Sequence, residues 1–124
     1  MNYNISVTNF KNQGSELLIN SISIYFEKKI KMYRQFNNGI IVMIAEDDES
    51  AKDFSNSVYC YNYDGKLLWQ MQKPSEVGKC NGHLVDMKFD TENDSQLIVF
   101  EFMGNRYIVN INDGKIVASY VSSW

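Results

Sequence analysis

A stretch of 15 residues occurs twice in this chain, 49 positions apart and without a gap. Residues 56–70 lie over residues 105–119. Asn56, Asp64, Gly65 and Lys66 recur as Asn105, Asp113, Gly114 and Lys115, and Leu67-Leu68 recurs as Ile116-Val117. Each copy is an apolar run, a tight Asp-Gly turn and a second apolar run, which is the pattern of a β-hairpin. A chain that repeats such a piece is read first as an array of β units.

The segments around the repeat also read as strand. Residues 4–9 alternate Ile5 and Val7 with polar positions. Residues 16–26 form one long apolar run; its start is open to a short helix, but Ile22, Ile24 and Phe26 recur with a period of two. Residues 30–36 alternate, Asn37-Asn38-Gly39 marks a turn, and residues 40–45 are apolar throughout. Residues 84–89 and 96–102 supply the same pair of strands ahead of the second copy. The connector 73–82 holds the only Pro and two Gly.

At 124 residues the chain has room for one domain with one core. The expected fold is all-β and antiparallel. Two four-stranded blade-like meanders, residues 30–72 and 84–121, form a half-propeller or sandwich-like stack, joined by an N-terminal β segment at 1–29. Ile40, Val42 and Ile44 alternate with Ile41, Met43 and Ala45, and Val58 and Cys60 alternate with Tyr59, Tyr61 and Tyr63. Strands apolar on both sides belong to sheets covered on both faces.

A meander of about 45 residues with Tyr63-Asp64-Gly65-Lys66 at its last hairpin resembles a β-propeller blade. The run from Tyr61 to Trp69 is most similar to blades of the quinoprotein type, in which a Trp on the outer strand closes each blade. The second copy has Ala118 in place of Trp69, and no quinone-binding residue carries over. A closed propeller needs about four blades. Two units therefore leave a face or an edge open, which a partner or a terminal segment has to cover.

The charge is -3 overall but uneven. Residues 1–35 hold five bases against two acids, and the remainder holds seven bases against 13 acids. Nucleic-acid binding calls for a strongly basic face, and this balance argues against it. The chain starts without a charged leader and apolar core, and no apolar run approaches a membrane span, so the expectation is a cytoplasmic protein without membrane contact. Both cysteines are then expected as reduced thiols, with Cys60 in the core. In size, acidity and repeat character the chain also resembles bacterial immunity proteins, including those against contact-dependent growth-inhibition toxins. That resemblance implies a partner, a cognate toxin domain, most often a nuclease.

Catalytic patterns are missing. No Gly-rich phosphate loop precedes a helix and no Gly-x-Ser-x-Gly is present. Cys60, Cys80 and His83 fall short of the four ligands of a structural zinc site. We expect no enzyme, no cofactor and no metal. The sharpest candidate is the loop 46–55. Unit two joins its second and third strands through Met103-Gly104-Asn105, whereas unit one spends about ten residues at the same place. An insertion in one of two related units is not demanded by the architecture, and loops on rigid scaffolds carry function. Glu46, Asp47, Asp48, Glu49 and Asp53 would steer a basic partner, with Phe54 as an anchor. The leading reading is an immunity protein that occludes a toxin's active site through this loop. The alternative is a structural β module that self-associates, with a homodimer as its simplest form.

Overall fold

The computed structural model describes residues 3–11, 14–45, 58–79 and 84–121. The chain folds as three antiparallel meanders. The first holds β1 (Ile5–Phe10), β2 (Gly14–Ile19) and β3 (Ile22–Phe26). The second holds β4 (Ile30–Phe36), β5 (Gly39–Ile44), β6 (Val58–Tyr61) and β7 (Leu67–Gln70). The third holds β8 (Leu84–Phe89), β9 (Gln96–Glu101), β10 (Asn105–Asn110) and β11 (Ile116–Val121). A short 3-10 turn, Pro74–Val77, lies in the connection between the second and third sheets. No helix among the described residues is long and apolar enough to cross a membrane.

The all-β, antiparallel fold matches the expectation, and the N-terminal segment proves to be a third sheet. The long apolar run 16–26 is two strands, neither of them helical. Ile19 pairs with Ile22, so the chain reverses over Asn20 and Ser21. Asn20 takes a left-handed φ of 55°, which Asn tolerates better than other side chains. Its Oδ1 accepts the Asn4 N–H at 3.0 Å and its own N–H donates to the Asn4 carbonyl at 2.7 Å, tying the turn to β1.

The second sheet is the middle layer. Ile40, Val42, Ile44 and Ile30 face the first sheet and pack with Leu17 and Ile19. Ile41, Met43, Val58, Cys60 and Trp69 face the third sheet and pack with Met87, Leu97, Val99, Tyr107 and Val109. Every residue of β5 is buried, as a strand between two covered faces must be. At roughly 1.5–3 kcal/mol for each large aliphatic side chain removed from water, β5 is the strand most responsible for cohesion between the layers.

The third sheet departs from the expectation of two covered faces. Leu97, Val99, Tyr107 and Val109 are buried against the middle sheet. Their neighbours Ile98, Phe100 and Ile108 are only partly buried, and Tyr120 is 45% exposed. Apolar alternation gives the same reading for a face with a partner and one without.

The repeat is gapless in sequence but not in pairing. In β6–β7 the bulge falls between Cys60 and Tyr61, whereas in β10–β11 it falls between Ile108 and Val109, one position earlier on the 49-residue offset. The second turn therefore takes one more residue. The Asn62 N–H closes on the Lys66 carbonyl, and the Asn110 N–H closes on the Lys115 carbonyl, each at 2.9 Å. The added residue is Ile111, which is buried, and its carbonyl accepts the Trp69 Nε1–H at 2.6 Å. Trp69 thus closes the seam to the following sheet.

The two Asp-Gly turns do the same job. Gly65 (φ 82°) sits against Ile22 of β3, so that a Cβ there would approach Ile22 Cγ2 to 2.6 Å. Gly114 (φ 77°) sits against the Trp69 ring. The Gln72 N–H donates to the Gly114 carbonyl at 2.9 Å, and Gln72 Oε1 accepts the Ile116 N–H at 2.9 Å. Each sheet's last turn is docked on the outer strand of the sheet before it.

Candidate functional site

Up-and-down connectivity sorts the loops to two ends of the strands. One end carries the Asn37-Asn38, Asn62–Lys66 and Asn110–Lys115 turns. All three are polar, and the last two are bound by their own Asx side chains: Asn62 Oδ1 accepts the Asp64 and Lys66 N–H groups, and Asn110 Oδ1 accepts the Asn112 N–H. The other end carries the β5–β6 and β9–β10 connections. There the two units differ. Residues 102–104 join β9 to β10, whereas 45–57 join β5 to β6.

The partner-binding residues expected from sequence, Glu46, Asp47, Asp48, Glu49, Asp53 and Phe54, lie outside the described residues, as do Cys80 and His83. The feet of their loop are described. The Ala45 N–H donates to the Lys29 carbonyl at 2.7 Å, and β6 begins at Val58, paired with Met43. Beside these feet a groove of about 340 Å3 opens between the first and second sheets, lined by Tyr25, Phe26, Glu27, Lys28, Ile44, Tyr59 and Tyr61. Tyr25 is 61% exposed. Phe26 holds Tyr59 and Tyr61 at centroid distances of 6.1 and 6.0 Å, the latter edge-on at 81°. Burial raises the Tyr61 hydroxyl above its ordinary pKa, and the neighbouring Tyr59 adds to the shift.

The tyrosine ladder is therefore a packed sheet face with one wet rim. Tyr63 stacks on Tyr3 at 3.7 Å, and its hydroxyl donates to the Phe36 carbonyl. Rigid aromatic walls with polar tips are suited to contacting a protein surface. The groove was not apparent in the sequence, where Tyr25 and Phe26 stand at the end of the apolar run 16–26, ahead of Glu27-Lys28-Lys29. The aromatic pair beside a basic turn was the available signal.

The β9–β10 turn is the second feature of this end. Phe102 and Met103 are 65% and 73% exposed. They are nevertheless held firmly. The Glu101 carboxylate, 2% exposed, accepts the Met103 N–H at 2.8 Å, Asn105 Nδ2 at 2.8 Å and the Asn105 N–H at 3.3 Å. A buried carboxylate satisfied by three donors fixes the backbone of the turn from which the two apolar side chains project.

Cys60 is buried in the core between the second and third sheets, and desolvation pushes its thiol up to about 12. It is an inert packing residue. Among the described residues no group of three or more His, Cys, Asp or Glu side chains is placed to hold a metal ion.

Sheets of antiparallel strands stacked in series, each keyed to the next by a turn, define a propeller-like β scaffold. The chain belongs to the DUF7957 family, described as a domain of unknown function, which matches residues 7–120. No curated protein matches it. Among solved structures it is similar to Hsv2 of Kluyvelomyces marxianus, with a TM-score of 0.59 and 13% identity over 97% of this chain and 39% of that one. It is also similar to BamB of Moraxella catarrhalis, with a TM-score of 0.52 and 12% identity over 94% of this chain and 38% of that one. Both are propeller-like proteins, and at this identity the likeness is one of fold. The chain spans about two fifths of either.

Proposed function

We propose that this protein is a non-enzymatic binding module of the toxin-immunity kind, which engages a cognate toxin domain at the end of the strands that carries the β5–β6 connection. The observation that carries the reading is the unequal pair of connections. Two related sheets make the same strand pair, and one uses 13 residues where the other uses three. The longer holds Glu46, Asp47, Asp48, Glu49 and Asp53, whose charge suits a basic, nucleic-acid-cleaving partner. The aromatic groove at its feet and the exposed Phe102-Met103 turn lie at the same end and supply apolar anchors beside the charge. The partner's active site is blocked by occlusion.

Co-expression with the product of the neighbouring upstream gene tests the reading. A complex that survives purification at micromolar concentration is expected, and reversing Asp47, Asp48 and Glu49 to Lys together is expected to weaken it at least tenfold. A partner that is not retained, or a complex indifferent to the triple reversal, refutes it.

A further inference from the structure

The stack has two ends, and the two end faces differ. On the far side of the third sheet, cross-strand partners place Phe100, Arg106 and Tyr120 in one row and Ile98, Ile108 and Ala118 in the next. The Arg106 guanidinium lies over the Phe100 ring at 4.9 Å and the Tyr120 ring at 5.9 Å, and Lys88 Nζ lies over Phe100 at 5.7 Å. Asp86 ends the first row beside Phe100, but its carboxylate is paired with Arg34 at 3.3 Å, so that Arg106 and Lys88 give this apolar face its cationic character. On the far side of the first sheet, Thr8, Glu16 and Tyr25 form one row and Ser6, Leu18 and Ser23 the next, with the Ser23 hydroxyl donating to the Glu16 carboxylate at 2.7 Å. That face is polar and anionic around Leu18.

We infer that the far face of the third sheet receives the far face of the first sheet of a second copy, and that two copies close head to tail into a ring of six sheets. Three observations support this occupant. Each internal seam already joins the downstream face of one sheet to the upstream face of the next, so the new seam continues an established packing. The charges are complementary, Arg106 and Lys88 facing Glu16. Six sheets also fall within the four to eight of closed propellers, whereas three do not.

The area is sufficient. A three-stranded face of six residues per strand covers roughly 14 by 20 Å, about 300 Å2. Two seams bury four such faces, roughly 1,200 Å2, which exceeds the roughly 1,000 Å2 expected of a specific interface. A head-to-tail contact that failed to close would instead grow into filaments.

Sedimentation equilibrium on the 124-residue chain tests the inference. A dimer is expected. Arg106→Glu and Glu16→Arg are each expected to raise its dissociation constant about tenfold or more, and the two together to restore it to within about threefold of the original. If Arg106→Glu disturbs the sheet itself, Ala118→Arg probes the same face from an exposed position. A chain that stays monomeric at about 100 μM overturns the inference, as does a filament. A dimer that Arg106→Glu breaks and Glu16→Arg leaves intact also overturns it, because the third sheet would then be pairing with itself.

Discussion

Gly114→Ala and Gly78→Ala make a matched pair that isolates the seam between the second and third sheets. Both glycines hold left-handed φ, 77° and 78°, so an Ala at either bears the same backbone strain, about 1 kcal/mol. Their surroundings differ. A Cβ at Gly78 meets nothing within 4 Å, whereas one at Gly114 stands 2.7 Å from Trp69 Cδ2, closer still to Cε3, and 3.1 Å from the Gln70 carbonyl. Trp69 cannot swing aside without losing its hydrogen bond to Ile111, so the clash is relieved by overpacking, at about 1–3 kcal/mol. Urea unfolding is expected to show a loss of about 1 kcal/mol for Gly78→Ala and about 2–4 kcal/mol for Gly114→Ala. The difference in melting temperature is then roughly 4 °C per kcal/mol. Adding Trp69→Leu to Gly114→Ala is expected to return part of the excess as a coupling of about 1–2 kcal/mol. Equal losses at the two glycines would refute the claim that the turn is keyed to Trp69.

Two further outcomes follow from buried polar groups. Glu101→Gln keeps one acceptor oxygen but turns an amide N–H2 toward donors that the carboxylate now satisfies; a loss of about 1–3 kcal/mol in urea unfolding is expected, with faster amide exchange at Asn105, and unchanged exchange there would contradict the bracing role. Cys60 is expected to resist thiol reagents in the folded chain near pH 8 and to react once urea unfolds it. Because its folded pKa stands raised, from 9.0 to about 12, the unfolded chain loses the proton first; the contribution is whole below pH 9 and is lost as pH rises toward 12. Cys60→Ala should remove that part of the alkaline destabilisation, and an identical alkaline profile would contradict it.

Much of the fold was legible in the sequence because its punctuation is strong. Asp64-Gly65, Asp113-Gly114 and Asn37-Asn38-Gly39 each supply a turn with its own chemistry, and the 49-residue offset links two of them. Asn20-Ser21 carries no Gly and is flanked by apolar residues on both sides, so its two strands read as one run. The one-residue shift at Ile111 was hidden by an alignment that needs no gap: identical turn residues were placed at slightly different points of the ladder. The groove at Tyr25, Tyr59 and Tyr61 joins residues more than 30 positions apart, and no local pattern announces it. The acidic loop stands out in the sequence because the two related units differ there, and the strand bounds show the same inequality of length.

The central claim is that the β5–β6 connection is spared for binding because the fold does not need it. Replacing residues 46–57 by Met-Gly, the pair at 103–104, leaves Ala45 and two further residues to make the turn, as in the third sheet. Closing a loop of three residues in place of 13 lowers the entropic cost by about 1 kcal/mol. Urea unfolding of the shortened chain is therefore predicted to show stability equal to the original or higher by about 1 kcal/mol, with an unchanged m-value. A loss of about 2 kcal/mol or more would show that the connection belongs to the architecture and would contradict the account.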